Sequence, residues 1–174
     1  AFVPGNPCTT PTNPYSQQPF PIPKREVARA KALLKEADVT GPLALDVMVP
    51  HGPETRAVAE VVQSMAAEAG FDLKIRVTEF ATSIKQAEDG AFQLYLIGWS
   101  GRSDPDGNSF VFQTCNAPQN NGKFCDKEVD AAHAAARATS DFAARKKAYA
   151  IGAEKFVAEA PTLALYPPQA TVPP

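Results

Sequence analysis

The 174-residue sequence lacks several things, and each absence excludes something. It has no long apolar run. The longest mainly apolar stretch, Phe92–Trp99, falls far short of the roughly 20 residues that a membrane-crossing helix needs. It has no excess of either charge: Lys plus Arg number 17 and Asp plus Glu 19, a net of −2. There is therefore no strongly basic footprint for nucleic acid and no acidic tail. No Gly-x-Ser-x-Gly elbow, phosphate loop or Gly-x-Gly-x-x-Gly turn occurs, so the common signatures of hydrolases and nucleotide binders are missing. No internal repeat is visible. The N-terminus has no basic segment leading into an apolar one, so it does not read as a signal peptide.

Proline is scarce only in the middle. Of 17 prolines, seven lie in residues 4–23 and five in residues 161–174. Segment 1–23 therefore holds neither a helix nor a central strand, because each proline fixes φ and removes a backbone donor. It reads either as a disordered leader or as an extended arm anchored on the surface by Phe2, Tyr15 and Phe20.

Between the ends the periodicity is clear. Val27, Ala30, Leu33, Leu34 and Ala37 form a helical stripe over 24–37, stopped by Gly41-Pro42. Leu43, Leu45, Val47 and Val49 alternate, which predicts a strand with one buried face. Residues 54–69 carry the strongest helical pattern, with Gly70 after it. Phe71, Leu73, Ile75 and Val77 predict a second strand, and a weaker helix follows over 81–88. Phe92–Trp99 predicts a strand covered on both faces. Residues 100–125 read as loop, and 126–138 and 140–159 as helices, the latter N-capped by Ser140. Thr162–Tyr166 predicts a last short buried strand.

This alternation implies an α/β fold: a mainly parallel sheet flanked by helices. In such sheets ligands sit beyond the carboxyl ends of the strands. Those ends are 50–55, 79–84 and 98–106. The last reads Gly98-Trp99-Ser100-Gly101-Arg102-Ser103-Asp104-Pro105-Asp106, with Gly107 and Asn108 after it. It holds the only tryptophan, and its glycines allow a close backbone approach to a ligand. The bland alternative is a core tryptophan followed by a turn. A calcium loop is disfavoured, because such loops want Gly sixth and Glu twelfth, whereas Gly107 is fourth and Cys115 twelfth counting from Asp104.

Cys115 and Cys125 bracket a polar loop with little to hold it together. A disulfide there would stabilise by about 3 kcal/mol and imply an oxidising compartment. His51 and His133 lie on separate elements, so a four-ligand zinc site is disfavoured. Cys8 is left over. His133, mid-helix among alanines, reads as packing and not as a general base, whereas His51 lies in a loop at a strand end. With no nucleophile nearby, binding is favoured over turnover, with no metal or cofactor called for.

The order Ala30-Lys31-Ala32-Leu33-Leu34-Lys35-Glu36-Ala37, then Ala59-Glu60-Val61-Val62-Gln63, Gly90-Ala91-Phe92-Gln93, Gly98-Trp99 and Asp104-Pro105-Asp106 with Phe110 resembles a known family. Arg145, Tyr149 and Pro161–Tyr166 extend the match. The family is that of ABC-transporter solute-binding proteins for dipeptides and oligopeptides, extracellular solute-binding protein family 5. The resemblance implies a receptor, periplasmic or anchored at the cell surface as a lipoprotein, whose two lobes close around a solute. This chain resembles the C-terminal lobe: 1–23 as a crossover segment, 24–166 as the ligand-binding lobe and 167–174 as the exit. The partners implied are a peptide-like or other small solute, the other lobe and the ABC permease.

The same resemblance implies a Cys115–Cys125 disulfide and a set of ligand contacts. Phe80, usually a tryptophan in the family, and Ile84 line the pocket. The main chain of Gly98, Trp99, Ser100 and Gly101 pairs with an extended solute. Tyr166 is an aromatic near the exit. Arg102 stands where peptide binders place an aspartate that pairs with the solute's amino terminus, and Asp104 is the substitute if the loop aligns differently. A fixed cation at 102 would favour a carboxylate or phosphate. The alternatives from other classes are a small α/β hydrolase using Asp104, Asp106 and His51, and a partner-docking module.

Overall fold

The computed structural model describes residues 13–15 and 24–165. Among them the elements run α1 (Val27–Glu36), β1 (Leu43–Pro50), α2 (Pro53–Ala67), β2 (Phe71–Thr78), α3 (Phe80–Glu88), β3 (Leu94–Tyr95), α4 (Asp106–Gln113), α5 (Lys127–Arg137) and α6 (Phe142–Glu159). A division after Trp99 separates two compact units. The first holds residues 24–99. The second holds residues 100–165 together with Asn13–Tyr15.

The first unit is a parallel sheet in the order β2-β1-β3. Parallel neighbours need a crossover, and α2 and α3 supply it. β1 pairs with β2 from Leu43↔Phe71 to Pro50↔Thr78. Val47, Val49, Leu73 and Ala59 form the core, with Leu45, Val62, Ala66 and Ile75 packed around it. The alternation of β1 predicts one buried face, but Met48 is fully buried too. β1 is the middle strand, Met48 points to the face opposite Val47 and Val49, and α3 also packs against β1. Gly70 ends the α2 segment at φ +101°, a conformation that costs glycine little. A Cβ there would also come within 3.1 Å of Leu34 Cδ1 of α1.

Two expectations for this unit are corrected. The stripe of α1 is not core: none of its residues is buried, and Leu33 is 54% exposed. The run 92–99 is not a strand covered on both faces. Only Leu94–Tyr95 pair, as an edge beside β1, and Leu94, Ile97 and Trp99 are each 40–42% exposed.

The second unit contains no strand among its described residues. The segment expected as loop over 100–125 contains a helix, α4. Pro105 leads into it with helical φ and ψ, and Asp106 in the first turn suits the positive helix start. Asp126 caps α5, its Oδ1 accepting from the amides of Glu128 (2.7 Å) and Val129 (3.0 Å). The cap of α6 is Asp141, not Ser140, its carboxylate accepting from the Ala144 amide at 2.7 Å. α5 and α6 pack through small residues, with Ala132, Ala136, Ala148, Gly152 and Ala153 all buried. His133 is buried in this helix pair, its Nε2 3.1 Å from Gln113 Oε1. Cys115 and Cys125 are joined by a disulfide. The loop it closes is organised by the buried Asn120, whose amide donates to the carbonyls of Thr114 (2.9 Å) and Phe124 (2.6 Å).

The expected strand over 162–166 does not form through residue 165. Ala160 turns the chain into the left-handed region at φ 48°, and Leu163 is 79% exposed. Among the described residues of this unit no strand offers the run a partner. Tyr166 and Cys8 lie outside the described residues, as do Phe2 and Phe20. Of the three anchors foreseen for the N-terminal segment, Tyr15 does dock, its ring 4.7 Å from that of Phe142 and edge-on to Tyr149 at 5.9 Å.

Candidate functional site

In the first unit the carboxyl ends of β1 and β2 lie side by side, joined by the His51 amide donating to the Thr78 carbonyl at 2.8 Å. An open concavity of about 410 Å³ lies there, lined by His51, Val77, Thr78, Glu79 and Phe80. Its geometry follows from the start of α3. Glu79 is extended and caps the helix, accepting from the Thr82 amide at 2.9 Å. The amides of Thr82 and Ala81 hold the Glu79 carboxyl below the usual glutamate value, so the rim carries a fixed anion. Phe80 is the first residue of the helix and stays 58% exposed, although a buried phenylalanine is the usual state. Ile84, one turn on, shares its face and is half-buried. Behind them the buried Ser83 hydroxyl is hydrogen-bonded to Tyr95 Oη at 2.9 Å and donates to the Phe80 carbonyl at 2.7 Å, which fixes the first turn of α3.

The rest of this unit's candidate residues are Gly98 and Trp99. Trp99 is 42% exposed, and a Cβ on Gly98 would meet nothing within 4 Å. Both thus reach solvent. The reading of Trp99 as a core residue is set aside.

Ser100, Gly101, Arg102 and Asp104 belong to the second unit, where they form the loop leading into α4. All four are exposed, yet the loop backbone is firmly held. The buried Asn108 side chain accepts from the Arg102 amide at 2.6 Å and donates to the Arg102 carbonyl at 2.7 Å. Asp104 Oδ1 accepts from the Asp106 amide at 2.9 Å. Asn13 donates to the Ser103 carbonyl at 2.9 Å. Gly107 is required by close approach: a Cβ there would lie 2.9 Å from Arg102 Cγ.

The residue that sequence reasoning left without a role is Arg145. Its Nη2 lies 3.0 Å from both Asp104 carboxylate oxygens and donates to Tyr149 Oη at 3.0 Å. Its Nη1 donates to Tyr15 Oη at 3.0 Å, and its Nε to the Ala136 carbonyl at 3.2 Å. Burial alone would lower the Arg145 pKa, but the hydrogen bonds and charges of Asp104 and Tyr149 outweigh it and raise it. The signals in the sequence were the i, i+4 spacing of Arg145 and Tyr149 and their place in the family resemblance, neither of which names a partner for the cation.

Asp106 lies 3.4 Å from Arg137 Nε. The two aspartates of the loop are thus matched with arginines. Among the described residues, no three His, Cys, Asp or Glu side chains gather as a metal site.

The first unit thus carries exposed aromatics near its strand ends, and the second unit a loop whose backbone is held by side chains. The sequence profile of the bacterial extracellular solute-binding proteins, family 5 Middle, matches residues 1–122, and the chain belongs to that family. It is 35% identical to the dipeptide-binding protein of Escherichia coli over 130 residues, which is 70% of this chain and 24% of that protein. It is 34% identical to di/tripeptide-binding protein 4 of Pseudomonas aeruginosa over 149 residues, 80% of this chain and 28% of that one. The chain thus spans about a quarter of the length of the curated relatives it matches. Among solved structures it resembles OppA of Burkholderia pseudomallei, with a TM-score of 0.81 and 26% identity over 95% of this chain and 34% of that one. The relatives are binding proteins, and the hydrolase reading finds no support among them.

Proposed function

We propose that this chain contributes a solute-binding lobe to the receptor of an ABC importer, acting outside the cytoplasm, with peptide-like molecules as its solutes. Residues 24–166 form the lobe in this reading, and segments 1–23 and 167–174 carry the chain into and out of it. The observation that carries the proposal is the exposed Phe80 beside the concavity at the strand ends, in a chain of this family. The side chains of Phe80, Ile84 and Trp99 supply apolar contact, and the main chain of Gly98–Gly101 supplies hydrogen bonds to an extended solute backbone. Arg102 meets an anionic group on that solute. Among the described residues no helix is long and apolar enough to cross a membrane. In this reading delivery to the cell interior falls to permease subunits.

Calorimetry on the full native chain carrying these residues, with a panel of di- and tripeptides, tests the reading. The expected result is saturable binding that weakens about tenfold or more in Phe80→Ala, from lost apolar burial, and also weakens in Arg102→Ala. Absence of binding across the panel overturns the peptide assignment, and binding indifferent to Phe80 overturns the placement of the site at the strand ends.

A further inference from the structure

We propose that Arg145 is a positioning residue for the 100–105 loop and takes the Asp104 carboxylate as its own counter-ion, so that Asp104 does not serve as the partner of a cationic group on the solute. The inference rests on the solute-binding reading above and sharpens its charge selectivity.

The geometry is specific. The Arg145 side chain is only 16% exposed and sits at the centre of a ring of acceptors from three places in the unit. These are the Tyr15 hydroxyl, the loop carboxylate of Asp104 and, from the helix pair, the Ala136 carbonyl and the Tyr149 hydroxyl. Its cation also lies 5.0 Å from the Tyr15 ring centre and 5.5 Å from that of Tyr149. A guanidinium so held cannot follow a mobile loop, so the loop must be held to it. Asp104 closes the connection at one end through Arg145 and at the other through the Asp106 amide. Asn108 fixes the backbone at Arg102 independently. The carboxylate is still half exposed, so its commitment to Arg145 and not its burial removes it from solute recognition. An ammonium arriving there would meet a charge already neutralised at 3.0 Å by a less mobile cation.

The test compares peptides with free and N-acetylated amino termini on the full native chain, in wild type, Asp104→Asn, Arg145→Met and the double variant. In Asp104→Asn the two peptides are expected to change affinity by the same factor, within about twofold. In Arg145→Met the released carboxylate is expected to raise preference for the free amine by about fivefold, and the double variant to erase that gain. A purely architectural role for Arg145 does not produce this reversal. Selective loss of free-amine binding in Asp104→Asn overturns the proposal.

If wild type binds neither peptide, the solute reading falls, and hydrogen exchange decides the positioning role alone. Faster exchange of the Asp106 amide, which donates to Asp104, in Arg145→Met, with α5 still protected, supports it. Unchanged exchange overturns it. Arg145→Lys, which keeps the charge and loses the planar fork, provides a second variant should Arg145→Met fail to fold.

Discussion

The two units of this chain are held together by different means. Residues 24–99 rest on a backbone ladder and a core of branched aliphatic side chains, with β1 in the middle. Residues 100–165 bury Val129, Tyr149 and Phe156 among alanines, and depend in addition on polar side chains that bind backbone: Asn108, Asn120, Asp126, Asp141 and Arg145. A disulfide adds to them. Apolar burial tolerates small shifts, whereas a side chain bridging two loop carbonyls fixes positions to tenths of an ångström. The difference suits the proposed roles, a sheet end that offers apolar contact and a loop that offers fixed backbone groups.

The largest expected effects test this contrast directly. Met48→Ala empties a fully buried position in β1 and is expected to cost about 2–5 kcal/mol. Replacing Cys115 and Cys125 by serine is expected to cost about 3 kcal/mol, since the closed loop is short. Segment-resolved hydrogen exchange separates the two. Met48→Ala should loosen 43–50 and 71–78 first, and the cysteine pair should loosen 114–138 first. Equal loosening of both units by either variant would show that they unfold as one, and the contrast would lose its energetic meaning.

The same contrast explains what was legible in the sequence. β1, α2, β2 and α3 are carried by apolar period, and the alternation at Leu45, Val47 and Val49 already marked the core. The fully buried Met48 escaped it, because burial on a second face depends on which strand is central. The run 92–99 misled for the opposite reason: high apolar content predicted cover on both faces, but Leu94, Ile97 and Trp99 stay exposed. α4 was missed because Asp106-Gly107-Asn108-Ser109 has the composition of a turn. The segments 79–84 and 98–106 were marked by the strand-end rule, and the individual role of Phe80 came only through the family resemblance. Arg145 joins partners 41 and 130 residues away in sequence, which no local pattern encodes.

A smaller effect is expected from pH, and it should arise in the helical unit. His133 is buried between α4, α5 and α6, and its Nδ1 has no hydrogen-bond partner among the described residues. Burial pushes its pKa below the ordinary 6.5, Asp106 and Asp130 oppose that, and Arg137 reinforces it. The unfolded chain therefore takes up this proton more readily than the folded one. Stability should be complete above pH 6.5 and fall as the pH drops from there towards the lowered folded value. Urea unfolding at stepped pH checks this. His133→Gln should flatten the slope in that window, and a slope left unchanged would assign it to other groups.

The smallest effect separates two reasons for a glycine. Gly107 and Gly152 both sit in helices of the second unit, but only Gly107 is there for want of space. A Cβ at 107 meets Arg102 Cγ at 2.9 Å and its Cβ at 3.0 Å, so Gly107→Ala must displace the Arg102 side chain or the loop. A Cβ at 152 meets His133 Nε2 at 3.5 Å and Ala132 Cβ at 3.8 Å, ordinary contact distances. Gly152→Ala should therefore raise stability by about 0.5–1 kcal/mol, through the lower entropy of the unfolded chain and better helix propensity. Denaturant midpoints for the two variants should move in opposite directions. If Gly152→Ala destabilises as Gly107→Ala does, the α5–α6 contact is as exacting as the loop. The second unit would then be governed by close packing as much as by its polar bridges.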